Sequence, residues 1–439
     1  MGKKEATSPR EGFLDTSPKT VDQMHKRQDT RYKGNRGYLY SVSSIVVHMK
    51  VCILQTVLDP YKGANHLPLF AAASTISFVI VCNRSKAKAS DLPKNVEVVT
   101  IPGRTGPYYY GVADARFASL VLRRYPAVSA FWKQFDVLHF NQVMGPAFRR
   151  LWARRQAMLF TIHHPVTVDR EMAMQESHGI GRLLWYMKYM KLVAWQKTMC
   201  RVCDRVMTVS RTVQDRLQQD YGCPVESISI IPNGVDGSVF IPDAQLPLFD
   251  VIALGSFMHP RKGFRYLADA YRALAEKGYR IADVGRRSDE QIAILCSIPG
   301  VTIHGTVDQQ TVRSLVQRSS ALLSTSLYEG FGLSLIEALS CGRPAFAFGG
   351  GAVPEVLTPI DASLIVPLRD TVELVRRTEA FLQLPEAQRH QRGQQYRDAV
   401  LKLYSLTSSA NLLRQLYVQM KREALARATS ADIQESHHR

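Results

Sequence analysis

The sequence is short of acidic residues and cysteine, and it has no long apolar run. Each shortage removes a class of protein. Asp and Glu number 38 against 56 Lys and Arg in 439 residues, a formal charge of +18, so an acidic, self-solvating chain is excluded. Seven cysteines, an odd count scattered over a long chain, do not make a disulfide framework. Cys200 and Cys203 form a Cys-x-x-Cys pair. No second pair or histidine stands at ligand spacing, so packed thiols are expected rather than zinc. No stretch of about 18 apolar residues exists, which argues against a transmembrane helix. The opening segment is polar, is broken by Pro9 and Pro18, and lacks the apolar core of a secretory signal. A reducing, cytoplasmic setting is the expectation. What remains, with 46% hydrophobic and 21% charged residues, is a globular chain of about two domains.

The positive charge is uneven. Residues 1–48 hold 9 basic and 5 acidic side chains, residues 49–200 hold 20 and 8, and residues 201–439 hold 27 and 25. The front half is the basic half. Its field favours a negatively charged partner: nucleic acid, anionic lipid or a phosphorylated substrate. Basic residues there adjoin aromatics, as in Arg123-Arg124-Tyr125 and around Trp152. The segment Arg182 to Lys197 sets Trp185, Tyr186, Tyr189 and Trp195 among Lys188, Lys191 and Lys197. That pattern suits a membrane-interface helix, or an ordinary surface helix packed on a core.

Residues 1–48 are polar and charged and read as a disordered basic extension. Met49, at the head of the first apolar run, is a second candidate for the translational start. From there short apolar runs alternate with amphipathic ones. Strands are expected at Val51–Thr56, Ser77–Cys82, Val96–Ile101, Val137–Phe140, Met158–Ile162, Arg205–Val209 and Ile228–Pro232, with helices such as Ala113–Arg124 and Arg211–Asp220 between them. The loop-like Pro242–Pro247 marks a boundary near residue 245. A second series follows at Phe249–Leu254, Ile281–Val284, Val301–His304, Ala321–Ser324, Pro344–Phe348 and Ser363–Val366. The alternation predicts an α/β chain of two Rossmann-like, doubly wound parallel-sheet domains, 49–244 and 245–402. Ligands of such sheets bind beyond the carboxyl ends of the strands.

The most informative stretch is Tyr328-Glu329-Gly330-Phe331-Gly332-Leu333-Ser334-Leu335-Ile336-Glu337, directly after an expected strand. Its glycines let backbone approach a ligand. A helix starting near Gly332 offers unpaired N–H groups and a positive dipole end to a diphosphate. Glu329 before that start and Glu337 within the helix can accept hydroxyl hydrogen bonds. The combination suits a sugar joined to a diphosphate.

This Glu-x7-Glu element resembles the signature of the retaining GT-B glycosyltransferases of family four. Other segments match in order: Val206–Ser210, the turn Ile231-Pro232-Asn233-Gly234-Val235-Asp236, Leu254-Gly255-Ser256 through Arg261-Lys262-Gly263, and Gly350–Val356. Phe135–His139 and Thr161-Ile162-His163 are similar to acceptor-domain elements. The resemblance covers roughly Met49 to Met420. It implies the GT-B fold, with the two domains facing a cleft, the first taking the acceptor and the second the nucleotide sugar. It also implies a helix over 403–426 that crosses back to the first domain, leaving 427–439 as a disordered tail.

Roles follow by position. The resemblance implies that Glu329, Lys262 and His163 are catalytic: Lys262 on the donor diphosphate, Glu329 on the sugar hydroxyls, His163 near the reacting centre. His164 is adjacent and can exchange roles with His163. Donor contacts are implied for Phe331, Gly332, Leu333 and Ser334 through backbone N–H groups. They are implied for Glu337 at the ribose, Gly63 across the cleft, and Thr306 and Val307 near the base. Asn65 and His66 share the Gly63 loop and are candidates for the acceptor. Two positions depart from the family pattern. Ser256 stands where an arginine is common, and Arg261 is the candidate replacement. Phe348 stands where a small hydroxyl residue is common.

The implied reaction transfers a hexose from a UDP- or GDP-sugar to an acceptor hydroxyl with retention. No cofactor or metal is expected, and the chain has no Asp-x-Asp motif. The basic front half points to a lipid-linked or anionic glycan acceptor, and to an anionic membrane surface at the inner face of the membrane, in cell-surface glycan, exopolysaccharide or glycolipid synthesis. Two rivals stay open here: a GT-B sugar-nucleotide epimerase, and a basic nucleic-acid-binding protein. The Glu-x7-Glu context argues against the first. The absence of a recognised nucleic-acid module argues against the second.

Overall fold

The structure is a computed structural model that describes residues 49–59, 67–106, 111–152, 156–243 and 245–437. The expected extension 1–48 and the loop residues Gly63, Asn65 and His66 lie outside the described residues.

The first series of apolar runs forms β1 (Met49–Leu54), β3 (Ile76–Cys82), β5 (Val96–Thr100), β6 (Val137–Asn141), β7 (Ala157–Ile162), β8 (Arg205–Thr208) and β9 (Ile228–Ile230), while β2 (Val57–Leu58) pairs separately with β4 (Arg84–Ser85). The seven strands make one parallel sheet in the order β5-β3-β1-β6-β7-β8-β9. Its central strands are buried along their whole length, as β6 and β7 show. That explains why they read as continuous apolar runs rather than alternating ones.

The second series forms β10 (Phe249–Leu254), β11 (Ile281–Val284), β12 (Val301–Gly305), β13 (Ser319–Ser324), β14 (Ala345–Phe348) and β15 (Ile365–Val366), ordered β12-β11-β10-β13-β14-β15. Each sheet reverses direction beside its first strand, between β1 and β6 and between β10 and β13. Those are the switch points where ligands bind such sheets. Five helices matter below: α1 (Val166–Gln175), α2 (Gly179–Val202), α3 (Arg211–Tyr221), α4 (Leu333–Ser340) and α5 (Leu406–His437).

The chain crosses between the sheets twice, and the crossings lie side by side. Val235 N–H donates to the Tyr404 carbonyl at 2.9 Å, and Leu406 N–H donates to the Val235 carbonyl at 3.0 Å. A Cβ on Gly234 would sit 2.5 Å from Leu406 Cα, so only glycine permits this approach.

Helix α5 then returns to the first sheet. Tyr417, fully buried, is 2.7 Å through its hydroxyl from His139 Nδ1. Lys421 pairs with Asp136 at 3.0 Å, and Arg205 pairs with Glu423 at 2.7 Å. The helix runs on to His437, through most of the segment expected as a disordered tail. An ion pair between Arg427 and Asp204 holds the start of that stretch. The Cys-x-x-Cys thiols Cys200 and Cys203 are buried at the end of α2, with Cys200 beside Cys223.

Candidate functional site

The second half builds its site from two loops. After β10 the chain makes a short turn, Pro260–Lys262, capped by His259, whose Nδ1 accepts from Arg261 N–H at 3.0 Å. After β13 it passes through Tyr328 and Glu329 to Gly332, which caps α4 with φ +93°. The loops meet side chain to side chain. Lys262 Nζ donates to Glu329 Oε1 at 2.5 Å, and Arg261 lies 3.8 Å from Glu329 Oε2. Burial alone would raise the Glu329 pKa, but these two cations hold it at about 2. It is a carboxylate throughout the neutral range.

Arg261 also reaches across to the first half. Its Nε donates to Asp169 of α1 at 2.8 Å, and another nitrogen donates to the Tyr328 carbonyl at 2.7 Å. Asp169 binds His164 Nε2 at 3.0 Å as well. Burial opposes ionisation of Asp169, yet His164 and Arg261 hold its pKa well below the usual carboxylate range. Arg261 places a cation at Glu329, while Ser256 is exposed after β10. Behind that loop the buried Arg287 donates to the Gly255 carbonyl at 2.6 Å and to Asp283 at 2.6 Å. Phe348 is fully buried, edge-on to Tyr266, and serves the core.

Gly330 presses on the acceptor half. A Cβ there would lie 2.0 Å from the His163 carbonyl oxygen. Ser210, which caps α3, donates its hydroxyl to the Gly330 carbonyl at 2.8 Å. A cavity of about 220 Å³ opens beside this contact. His163, His164, Gln142 and Asn233 line it from one half, and Arg261, Glu329, Phe331, Gly332 and Leu333 from the other. The structure thus brings together most of the expected site. Lys262 joins it through Glu329, and Ser334 lies in the first turn of α4. The Glu337 carboxylate, a turn further on, has no hydrogen-bond partner among the described residues, and burial raises its pKa to about 8. Thr306 and Val307 do not line this cavity: Thr306 is exposed after the edge strand β12, and Val307 packs on the core.

The sequence reading missed the larger cavity, about 840 Å³, at the switch point of the first sheet. Gln55 and Thr56 reach it from the end of β1, Asn83 from β3, and Asn141 and Gln142 from β6. Asn141 donates to Gln55 Oε1 at 2.9 Å, and Gln55 Nε2, buried at the wall, has no partner among the described residues. Asp114 accepts from Thr56 at 2.6 Å and from Met144 N–H at 3.1 Å, and burial raises its pKa. Among the described residues, the charged side chains lining the cavity are Asp59 and Asp114 against Arg84 and Lys86, and these balance formally. Gln142 lines both cavities and holds φ +59°, a conformation that non-glycine residues seldom adopt. The only sequence signal for Gln55, Thr56, Asn83, Asn141 and Gln142 is their place at or just beyond the ends of predicted strands.

Known proteins share this pattern. The family description "Glycosyltransferase Family 4" matches residues 71–238, and "Glycosyl transferases group 1" matches residues 249–383. The chain is 29% identical over 234 residues to the MMP alpha-(1->4)-mannosyltransferase of Mycolicibacterium hassiacum, covering 51% of this chain and 56% of that protein. It is 27% identical over 312 residues to the phosphatidyl-myo-inositol mannosyltransferase of Mycobacterium leprae, covering 65% and 75%. The matched region is therefore little more than half the length of the first relative. Among solved structures, the sucrose-phosphate synthase of Thermosynechococcus elongatus superposes with a TM-score of 0.66 at 20% identity, covering 85% of this chain and 99% of that one. At that identity the likeness speaks for the fold, which is GT-B. With both halves matched in order and the Glu-x7-Glu loop at their interface, the chain belongs to the family four, group 1 glycosyltransferases.

Proposed function

We propose that the protein is a retaining, metal-independent hexosyltransferase that moves a sugar from a nucleoside diphosphate to a hydroxyl of a glycan or glycolipid acceptor. One observation carries the reading. The Lys262–Glu329 pair stands before the start of α4, beside a cavity lined by both halves.

The hard step is departure of the diphosphate, which gathers negative charge. Lys262, Arg261 and the N–H groups opening α4 are aimed where that charge develops, and such preorganised donors need no rearrangement during reaction. Glu329, ionised at neutral pH, orients the sugar through its hydroxyls, and Glu337 takes the ribose. The acceptor enters the larger cavity, whose amides and hydroxyls suit a neutral polyol. Gln142 lies between it and the sugar, and His163 lines the reacting side. The leaving phosphate takes the acceptor proton on the same face. Relatives named as mannosyltransferases make mannose the first donor sugar to test.

Proton NMR of the product, formed in the presence of a chelator, tests this. An α-linked product from an α-linked donor supports the reading. An inverted linkage, or activity only after metal is restored, overturns it. The epimerase and nucleic-acid readings find no support in the family match or in the neutral cavity.

A further inference from the structure

Among the described residues the charges lining the larger cavity balance, so the described surplus charge of the first half lies elsewhere. Helix α2 carries Arg182, Lys188, Lys191, Lys197 and Arg201, and no acidic residue occurs between Glu176 and Asp204. Its first turns leave Ile180, Leu183, Leu184, Met187 and Met190 between 50% and 78% exposed. Their spacing puts them along one stripe of the helix, with Lys191 beside them. Single exposed apolar residues are ordinary, but a continuous stripe marks a contact surface. The short helical segment Pro146–Leu151, which packs against α2, brings Arg149 and Arg150, and Trp152 after it is 65% exposed.

The opposite face of α2 is bonded to the donor loop. Tyr189 is 2.9 Å through its hydroxyl from His259 Nε2, and Trp185 meets the same ring edge-on. His259 Nδ1 accepts from Arg261 N–H, so Nε2 carries the proton and donates to Tyr189. Lys188 stacks over Trp185 at 4.0 Å. The helix therefore presents an apolar, cationic face outward and grips the Arg261–Lys262 turn inward.

We propose that α2 docks the protein on an anionic lipid surface, with the Ile180–Met190 stripe in the interfacial layer and Lys191 among the headgroups. No helix among the described residues is long and apolar enough to cross a membrane, so the contact lies in the plane of the surface. Charge decides the occupant. A second copy packed on this stripe would bring the cationic helix against its like, with no acidic residue on either helix to pair. Nucleic acid would leave the apolar stripe without a use. The proposal does not depend on the reaction above, since vesicle binding is read without turnover.

The test is co-sedimentation of the full chain with vesicles of phosphatidylcholine alone and of phosphatidylcholine mixed with phosphatidylglycerol. Tighter binding to the mixed vesicles, weakened by salt, is expected. The Leu183→Glu/Leu184→Glu double variant should lose binding by about tenfold or more, and Lys191→Glu by about fivefold. Val372→Glu, on an 81% exposed residue of the donor half, should bind as the parent does. Unchanged thermal midpoints confirm that the variants fold. Equal binding to both vesicles, or full binding by the double variant, overturns the proposal. So does a lipid-free dimer that the double variant converts to monomer, because the stripe would then belong to a second copy.

Discussion

The two halves solve opposite problems. The second half gathers charge at one point: Lys262 and Arg261 both lie within ion-pair distance of Glu329, and Asp169 pairs with Arg261 from across the interface. The first half carries most of the net positive charge, yet among the described residues its cavity is lined by amides, hydroxyls and balanced charges. A diphosphate has to be held and then stabilised as it leaves, which favours fixed charge. A polyol acceptor has to be oriented, which favours neutral hydrogen-bonding groups.

The largest expected effect breaks the donor side alone. Lys262→Ala and Glu329→Gln should each lower kcat about 100-fold or more, since one lost donor at developing charge costs about that much. Unchanged thermal midpoints and unchanged acceptor KM would confine the loss to the donor half. Next comes the seam. Gly330→Ala forces a Cβ onto the His163 carbonyl and should cost about 1–3 kcal/mol of stability, read by denaturant unfolding.

A third test separates the two glutamates by pH. The proton that Glu337 keeps up to about pH 8 is lost on unfolding down to pH 4.5. Its burial thus destabilises the fold progressively as pH rises from 4.5 to about 8. Ribose hydroxyls favour the carboxylate, so nucleotide affinity should rise with pH up to about 8, with proton release on binding below it. Calorimetry in two buffers of different ionisation enthalpy reads that release, and Glu337→Gln should abolish it. Glu329, held at about 2, contributes nothing over the same range. The smallest effect falls on the acceptor side. Gln55→Ala should raise acceptor KM severalfold and leave donor affinity unchanged, because neutral hydrogen bonds are worth about 1 kcal/mol each.

Legibility in the sequence followed the same division. The strands of both sheets were readable because buried parallel strands are continuous apolar runs. The donor loop was readable because its residues are neighbours in sequence: Glu329, Phe331, Gly332 and Glu337 sit on one turn and helix. Asp169, Gln55 and Gln142 were not, because long-range packing alone brings them to the site. Asp169 meets Arg261 92 residues away. Thr306 and Val307 fall outside the cavity for a related reason: their strand is at the sheet edge, away from the switch point. The end of α5 escaped because its polar sequence has no apolar period there, and the visible support at Arg427 is an ion pair with Asp204.

The most direct test of the central claim is a thermal-shift series with UDP-, GDP- and ADP-sugars and their free diphosphates, run without metal on the parent chain and on Lys262→Ala. A ligand that binds only the folded chain raises its midpoint by mass action. One nucleotide series should raise the parent's midpoint and leave the variant's where it was. A folded parent that responds to none of them, or a variant that responds as strongly as the parent, would contradict the assignment of the donor site to Lys262 and Glu329.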